Sequence, residues 1–143
     1  MICLNFQRST NNITKIQQYL QNSRQYYDNS HDLITQKELA KAGELLWGAI
    51  AEATKALHLI VKNKPVDIHT DITKYLGQLA VQYGDTGKIK MEHVSAARQL
   101  HTNFYESDLV QQGESTFFEQ YEYGRILFGF LMDLIERYPG ITQ

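Results

Sequence analysis

Proline and cysteine are scarce in this chain, and each scarcity excludes something. Only Pro65 and Pro139 occur in 143 residues, so long uninterrupted helices are permitted; proline is the residue that removes a helix donor and clashes with the preceding turn. The single cysteine, Cys3, rules out an internal disulfide and a cysteine-based zinc site. Its place near the terminus argues against a catalytic thiol, which needs an activating microenvironment. No run approaches the roughly 20 apolar residues of a membrane span. The N-terminus turns polar within its first ten residues, so it lacks the apolar core of a signal peptide, and the cytoplasm is the expected location. An excess of positive charge is missing too. A formal net charge of −2 gives no global basic footprint for nucleic acid, although a local basic groove stays open. No segment alternates like a strand with turn chemistry around it, and no repeat is visible.

What is present is helical. Hydrophobic residues at 43% and charged residues at 21% fit one globular domain over residues 1–143. The spacing of Ile13, Ile16, Tyr19 or Leu20, and Tyr26 or Tyr27 predicts an N-terminal, peripheral helix over about 11–28, broken by Asp28-Asn29-Ser30. A core bundle follows over about 35–138. Thr35-Gln36-Lys37-Glu38 reads as a capping box that starts helix 2, with Ile34 and Leu39 as its staple. The apolar period then runs from Leu39 to about Lys62, making this helix the spine, and Asn63-Lys64-Pro65 ends it. Asp67 can cap helix 3, whose expected buried side is Ile68, Ile72, Tyr75, Leu76, Leu79 and Tyr83. Gly84-Asp85-Thr86-Gly87 reads as an interhelical turn; it lacks the pattern of a phosphate loop. Helix 4 is expected from about Ile89 to Val110, and helix 5, strongly apolar, from about Ser115 to Tyr138. Short connections predict an all-α, mostly antiparallel bundle of four to five helices.

The chemistry-bearing residues gather on helices 2, 4 and 5. No glutamate has a histidine three residues on, HExxH is absent, and His31, His58, His69, His93 and His101 are scattered singly; neither a metal nor another cofactor is expected. On helix 2, Lys41, Glu44, Gly48, Glu52 and Lys55 share one face. The simplest reading is a solvated face with charge pairs such as Glu52 with Lys55. The sharper reading uses Gly48: glycine costs about 1 kcal/mol in a helix interior, so a close approach by a helix, a second subunit or a ligand is expected there. Trp47 beside this stripe reads first as a core aromatic and second as a base-stacking platform. On helix 4, Arg98, His101, Thr102 and Tyr105 share a face next to the apolar stripe, with Asn103 close by. The plain reading has His101 hydrogen-bonding across the bundle while Arg98 snorkels outward. The functional reading takes Arg98 as a phosphate clamp and His101 as a proton-transfer group, the minimum for metal-free cleavage of RNA. Arg125, in apolar helix 5, is expected to pair with a bundle carboxylate such as Glu44 or Glu52.

The strings KAGELLWGAIAEATKAL in helix 2 and ARQLHTNFYE in helix 4 resemble the PaREP1 family, which belongs with the HEPN superfamily of small helical bundles. The resemblance covers roughly residues 36–136. It implies a HEPN-like bundle that often dimerises, that can pair with a minimal nucleotidyltransferase, and whose relatives include metal-independent endoribonucleases. Those ribonucleases carry Arg-x(4–6)-His on one helix, with residues from two subunits meeting at the dimer interface. This sequence departs from that pattern: Arg98 and His101 have two residues between them, and Asn103 follows the histidine. Arg24 and His31 do have six between them, but the predicted end of helix 1 falls inside that stretch, so the two are not expected to share a face.

Three functions follow as expectations. The first is a non-enzymatic, self-associating bundle that binds a partner protein or nucleotide/RNA through a polar groove between helices 2 and 4, with Glu44, Trp47, Gly48, Glu52, Lys55 and Arg125 as binding residues. The second is a metal-independent endoribonuclease using His101 and Arg98, with Asn103 and Tyr105 as positioning donors. The third is a groove for a small ligand held by Glu44, Trp47, Glu52 and His101.

Overall fold

A computed structural model describes residues 8–106 and 113–141, apart from the side chains of 103–106. Five α-helices make up the described chain: α1 (Thr10–Thr35), α2 (Leu39–Lys62), α3 (His69–Gln82), α4 (Met91–Glu106) and α5 (Glu114–Glu136). A short 3₁₀ turn, Gly84–Thr86, links α3 towards α4. No strand occurs among the described residues. None of their helices is long and apolar enough to cross a membrane. The all-α bundle read from the sequence is therefore the fold.

The largest departure lies in α1. Asp28-Asn29-Ser30 does not break it; the helix continues to Thr35. The reason is packing. Ser30 is fully buried, and its hydroxyl donates to the Ala42 carbonyl at 2.6 Å and meets the Tyr121 hydroxyl at 2.7 Å. A turn-prone side chain stays helical when its oxygen is occupied across a seam instead of by its own backbone. Thr35-Gln36-Lys37-Glu38 is likewise not a capping box. The Glu38 amide donates to Leu33 O and the Lys37 amide to Ile34 O, both at 3.0 Å, and Lys37 has φ 60°. This is a Schellman ending for α1, with Lys37 in the left-handed region. Thr35 spends its hydroxyl on Asp32 O, and Glu38 precedes α2 without capping it.

Nor is α1 peripheral. It lies antiparallel along α2 in the broadest seam of the bundle, as the pairs Ser23 with Ala49 O, Ser30 with Ala42 O and Asn12 with Asn63 record. Ile16, Leu20, Ser23 and Ser30 are its buried positions. The spine role of α2 holds, since it packs against all four other helices. It ends where the sequence places the stop, with Asn63 in the left-handed region.

Asp67 does not cap α3; Ile68 occupies the N-cap position, makes no side-chain cap bond, and is 63% exposed rather than buried. The extended segment before α3 leads back along α2, so α3 runs in the same sense as α2: His69 lies against Trp47, and Tyr75 against His58. Helix α4 begins at Met91, and His93 Nδ1 accepts the Lys90 amide at 2.9 Å, one half of a capping box. Residues 107–110, expected to continue helix 4, lie outside the described residues, as does Cys3. Helix α5 pairs antiparallel with α4 through His93 with Tyr123 and Gln99 with Gln120. Its Gly124 lies against α2; a Cβ there would stand 2.8 Å from a Leu46 methyl, so any larger residue would force the Leu46 side chain to shift.

Candidate functional site: a cationic cleft of α2, α3 and α4

The polar stripe of α2 divides between two neighbours. Gly48, Glu52 and Lys55 belong to the seam with α1. A Cβ on Gly48 would lie 3.3 Å from the Tyr26 ring, so the close approach expected there is made by α1. Glu52, 9% exposed, accepts from Asn22 at 3.0 Å and pairs with Lys55 at 2.8 Å. Burial alone pulls the Lys55 pKa down, but the hydrogen bond and charge of Glu52, with Tyr19 and Asp67 nearby, hold it above its ordinary value. Arg125 pairs with neither Glu44 nor Glu52. Its guanidinium donates to the Tyr27 hydroxyl at 3.1 Å and to Glu122, one turn away, at 2.9 Å. None of these four residues lines the cleft that His101 lines.

The other edge of α2 meets α4. Glu44 Oε1 and His101 Nδ1 lie 2.7 Å apart. An ionised carboxylate can only accept, so Nδ1 is the donor in this contact. The two residues are about equally exposed, at 22% and 23%, which makes the pair an orienting contact more than a source of stability. His101 lies over Trp47, ring centroids 5.7 Å apart. The third ring is one that the sequence reading did not select. His69, at the start of α3, lies 4.6 Å from His101 and 6.0 Å from Trp47.

These rings form the floor of a cleft of about 450 Å³ between α2, α3 and α4. Lys74 and Arg98 stand at its sides, and Thr70, Thr73 and Thr102 add hydroxyls. Among the described residues no carboxylate lines it. Lys74 and Arg98 are exposed and make no ion pair among the described residues. Trp47 is only 3% exposed, with the imidazoles beside it, so the faces offered to solvent are imidazoles rather than an open indole. Its indole Nε1–H is buried without an acceptor. The first turn of α3 also faces the cleft through His69 and Thr70, and its amides receive no side-chain cap, so the positive end of that helix dipole adds to the cationic character.

The side chains of Asn103 and Tyr105 lie outside the described residues. Arg98 and His101 line one cavity together; Glu44 acts from behind His101. Thr70, Thr73 and Lys74 escaped the sequence reading because helix 3 was assigned from its apolar face alone. Their spacing of i, i+3 and i+4 on the polar face was the available signal. Among the described residues no group of histidines, cysteines and carboxylates has the makings of a metal site. Outside the cleft, the continuity of α1 places Arg24 and His31, both exposed, two turns apart on one face. That corrects the expectation that a helix end separates them.

A small all-α bundle carrying an imidazole- and cation-lined cleft between three of its helices is the class these features define. Within that class the chain belongs to the archaeal PaREP1/PaREP8 family, whose family model matches residues 18–115, more than half of the sequence. No curated protein and no solved structure matches the chain.

Proposed function

We propose that this protein is a HEPN-like bundle that binds a phosphate-bearing ligand, a nucleotide or RNA, in the cleft of α2, α3 and α4. The observation that carries the reading is the lining: Lys74, Arg98, His69 and His101, with no carboxylate among the described lining residues. Arginine and lysine without a counter-ion among the described residues favour an anion, and the hydroxyls of Thr70, Thr73 and Thr102 suit phosphate oxygens. The competing occupant of a cationic site is a carboxylate-rich protein surface; a concave cleft with three hydroxyls suits a compact phosphate better, so nucleotide or RNA is preferred to a protein partner at this place. Self-association and a nucleotidyltransferase partner belong to the same reading through HEPN kinship. Titration calorimetry with a nucleoside monophosphate tests it. Arg98→Ala and Lys74→Ala should each weaken binding by roughly tenfold, the scale of one charge-assisted hydrogen bond; unchanged affinity in both would remove the cleft from consideration.

A second reading, metal-independent RNA cleavage, gains from the pairing of His69 with His101 at 4.6 Å. Two imidazoles supply a base for the 2′-hydroxyl and an acid for the leaving oxygen, and Arg98 supplies the cation. RNA cleavage in EDTA that disappears in His101→Ala but survives in His31→Ala supports it. Equal cleavage by wild type and His101→Ala removes it.

A further inference from the structure

A second cavity, about 240 Å³, adjoins the cleft across α3. Lys74 lines both cavities, so it stands on the ridge between them. Their chemistry is opposite. The cleft holds cations and, among the described residues, no carboxylate. The second cavity presents Asp71, Gln78 and His58 against a wall of Val66 and Tyr75. His58 Nδ1 donates to the Lys64 carbonyl at 2.7 Å; a carbonyl can only accept, so Nε2 of the neutral ring is an acceptor. Asp71 is acceptor-only when ionised. Acceptors recognise donors, and a carboxylate beside the opening repels phosphate. The group that suits this cavity is neutral and rich in O–H or N–H. The group that suits the cleft is an anion. Lys74 lines both cavities, so the two groups would lie next to each other.

We propose that the cleft and the adjoining cavity are two halves of one site for a ribose phosphate, with the phosphate held by Arg98, Lys74 and the imidazoles and the sugar hydroxyls donating to Asp71 and His58. The inference rests on the reading of the cleft as a phosphate site and adds the sugar. A vicinal diol facing a carboxylate is the same recognition that acidic residues use for ribose hydroxyls elsewhere. The ribose phosphate comes from a free nucleotide or from the 3′ end of an RNA strand, where the 2′,3′-diol is free.

Binding of four probes to the full chain separates the possibilities: inorganic phosphate, ribose 5-phosphate, 2-deoxyribose 5-phosphate and a short RNA with a free 3′-terminal diol. Ribose 5-phosphate should bind about tenfold more tightly than inorganic phosphate, the scale of one hydrogen bond to a charged group, and the deoxy sugar should fall between. Asp71→Ala, a change at an exposed position, should erase the advantage of the sugar while phosphate affinity stays equal or rises. RNA binding more tightly than ribose 5-phosphate assigns the source to a strand end, and equal affinity assigns it to a free nucleotide; both support the site. Equal affinity for phosphate and ribose 5-phosphate in the wild type overturns the inference and leaves the phosphate cleft standing. Binding of none of the four overturns both.

Discussion

The two sides of α2 use polar residues in opposite ways. Towards α1, the buried polar groups find partners within the chain: Ser23 donates to Ala49 O, Ser30 meets Ala42 O and Tyr121, and Glu52 holds Asn22 and Lys55. Towards α3 and α4, Lys74 and Arg98 have no counter-ion among the described residues, and the buried Trp47 indole N–H has no acceptor. A satisfied polar seam fixes register and holds helices together. A buried donor without a partner costs about 1–3 kcal/mol, a penalty that folding alone gives no reason to keep. The same helix therefore supplies a structural seam on one edge and, under the proposed function, a binding floor on the other.

Changes on the two sides should separate stability from binding, and the largest effect concerns how firmly α3 is built into the core. Burial, with Tyr138 and Tyr83 nearby, pushes the Tyr75 pKa from 10.0 up to about 12. Between those values the unfolded chain ionises this phenol while the native chain keeps it protonated. Stability is thus fully present below pH 10 and is lost as pH rises towards 12, by about 2–3 kcal/mol. Tyr121 is raised in the same direction, by burial first. Denaturant melts across this range should show the decline, and Tyr75→Phe should flatten it; an unchanged slope in that variant would detach Tyr75 from the effect.

Next in size is the seam. Ser30→Ala strands the Tyr121 hydroxyl in the core and should lower unfolding free energy by about 1–3 kcal/mol. Adding Tyr121→Phe should cost little more, because the two groups act as a pair. Ligand affinity should not move, and a parallel loss of binding would blur the distinction between the two edges. On the cleft side the signs reverse: Arg98→Ala and Lys74→Ala should hold stability within about 0.5 kcal/mol while weakening nucleotide binding. Smallest is Glu44→Gln, which keeps an acceptor for His101 but removes a charge from a partly exposed pair. Its thermal melt should change by less than about 1 kcal/mol. A loss as large as that of Ser30→Ala would move Glu44 and His101 into the structural class.

The spine helix, its stop at Asn63 and the apolar faces of α3 and α5 were legible, because long apolar periodicity and a proline stop are local signals. The contact of His101 with Glu44 was legible in outline, since both sit at the edge of an apolar stripe. Helix α1 was misread for a tertiary reason: Asp28-Asn29-Ser30 is turn-prone by itself, and only Tyr121, 91 residues away, gives Ser30 its helical role. Thr35-Gln36-Lys37-Glu38 fits both an N-cap and the end of the preceding helix, and the Leu33 and Ile34 carbonyls decide which. The face containing Gly48 and Glu52 was assigned to a groove because one helix face does not say which neighbour covers it. His69 and Lys74 join the cleft only because α3 runs in the same sense as α2, a topology that no single helix encodes.

The measurement that reaches the central claim most directly uses Trp47, the chain's single tryptophan, which lies against both imidazoles of the cleft. Its fluorescence should change saturably as a nucleoside monophosphate is added to the full chain at neutral pH, with a midpoint that moves to higher concentration in Arg98→Ala and stays in place in Ser30→Ala. A flat titration, or a response that Arg98→Ala leaves untouched, would contradict the assignment of this edge of α2 to ligand binding.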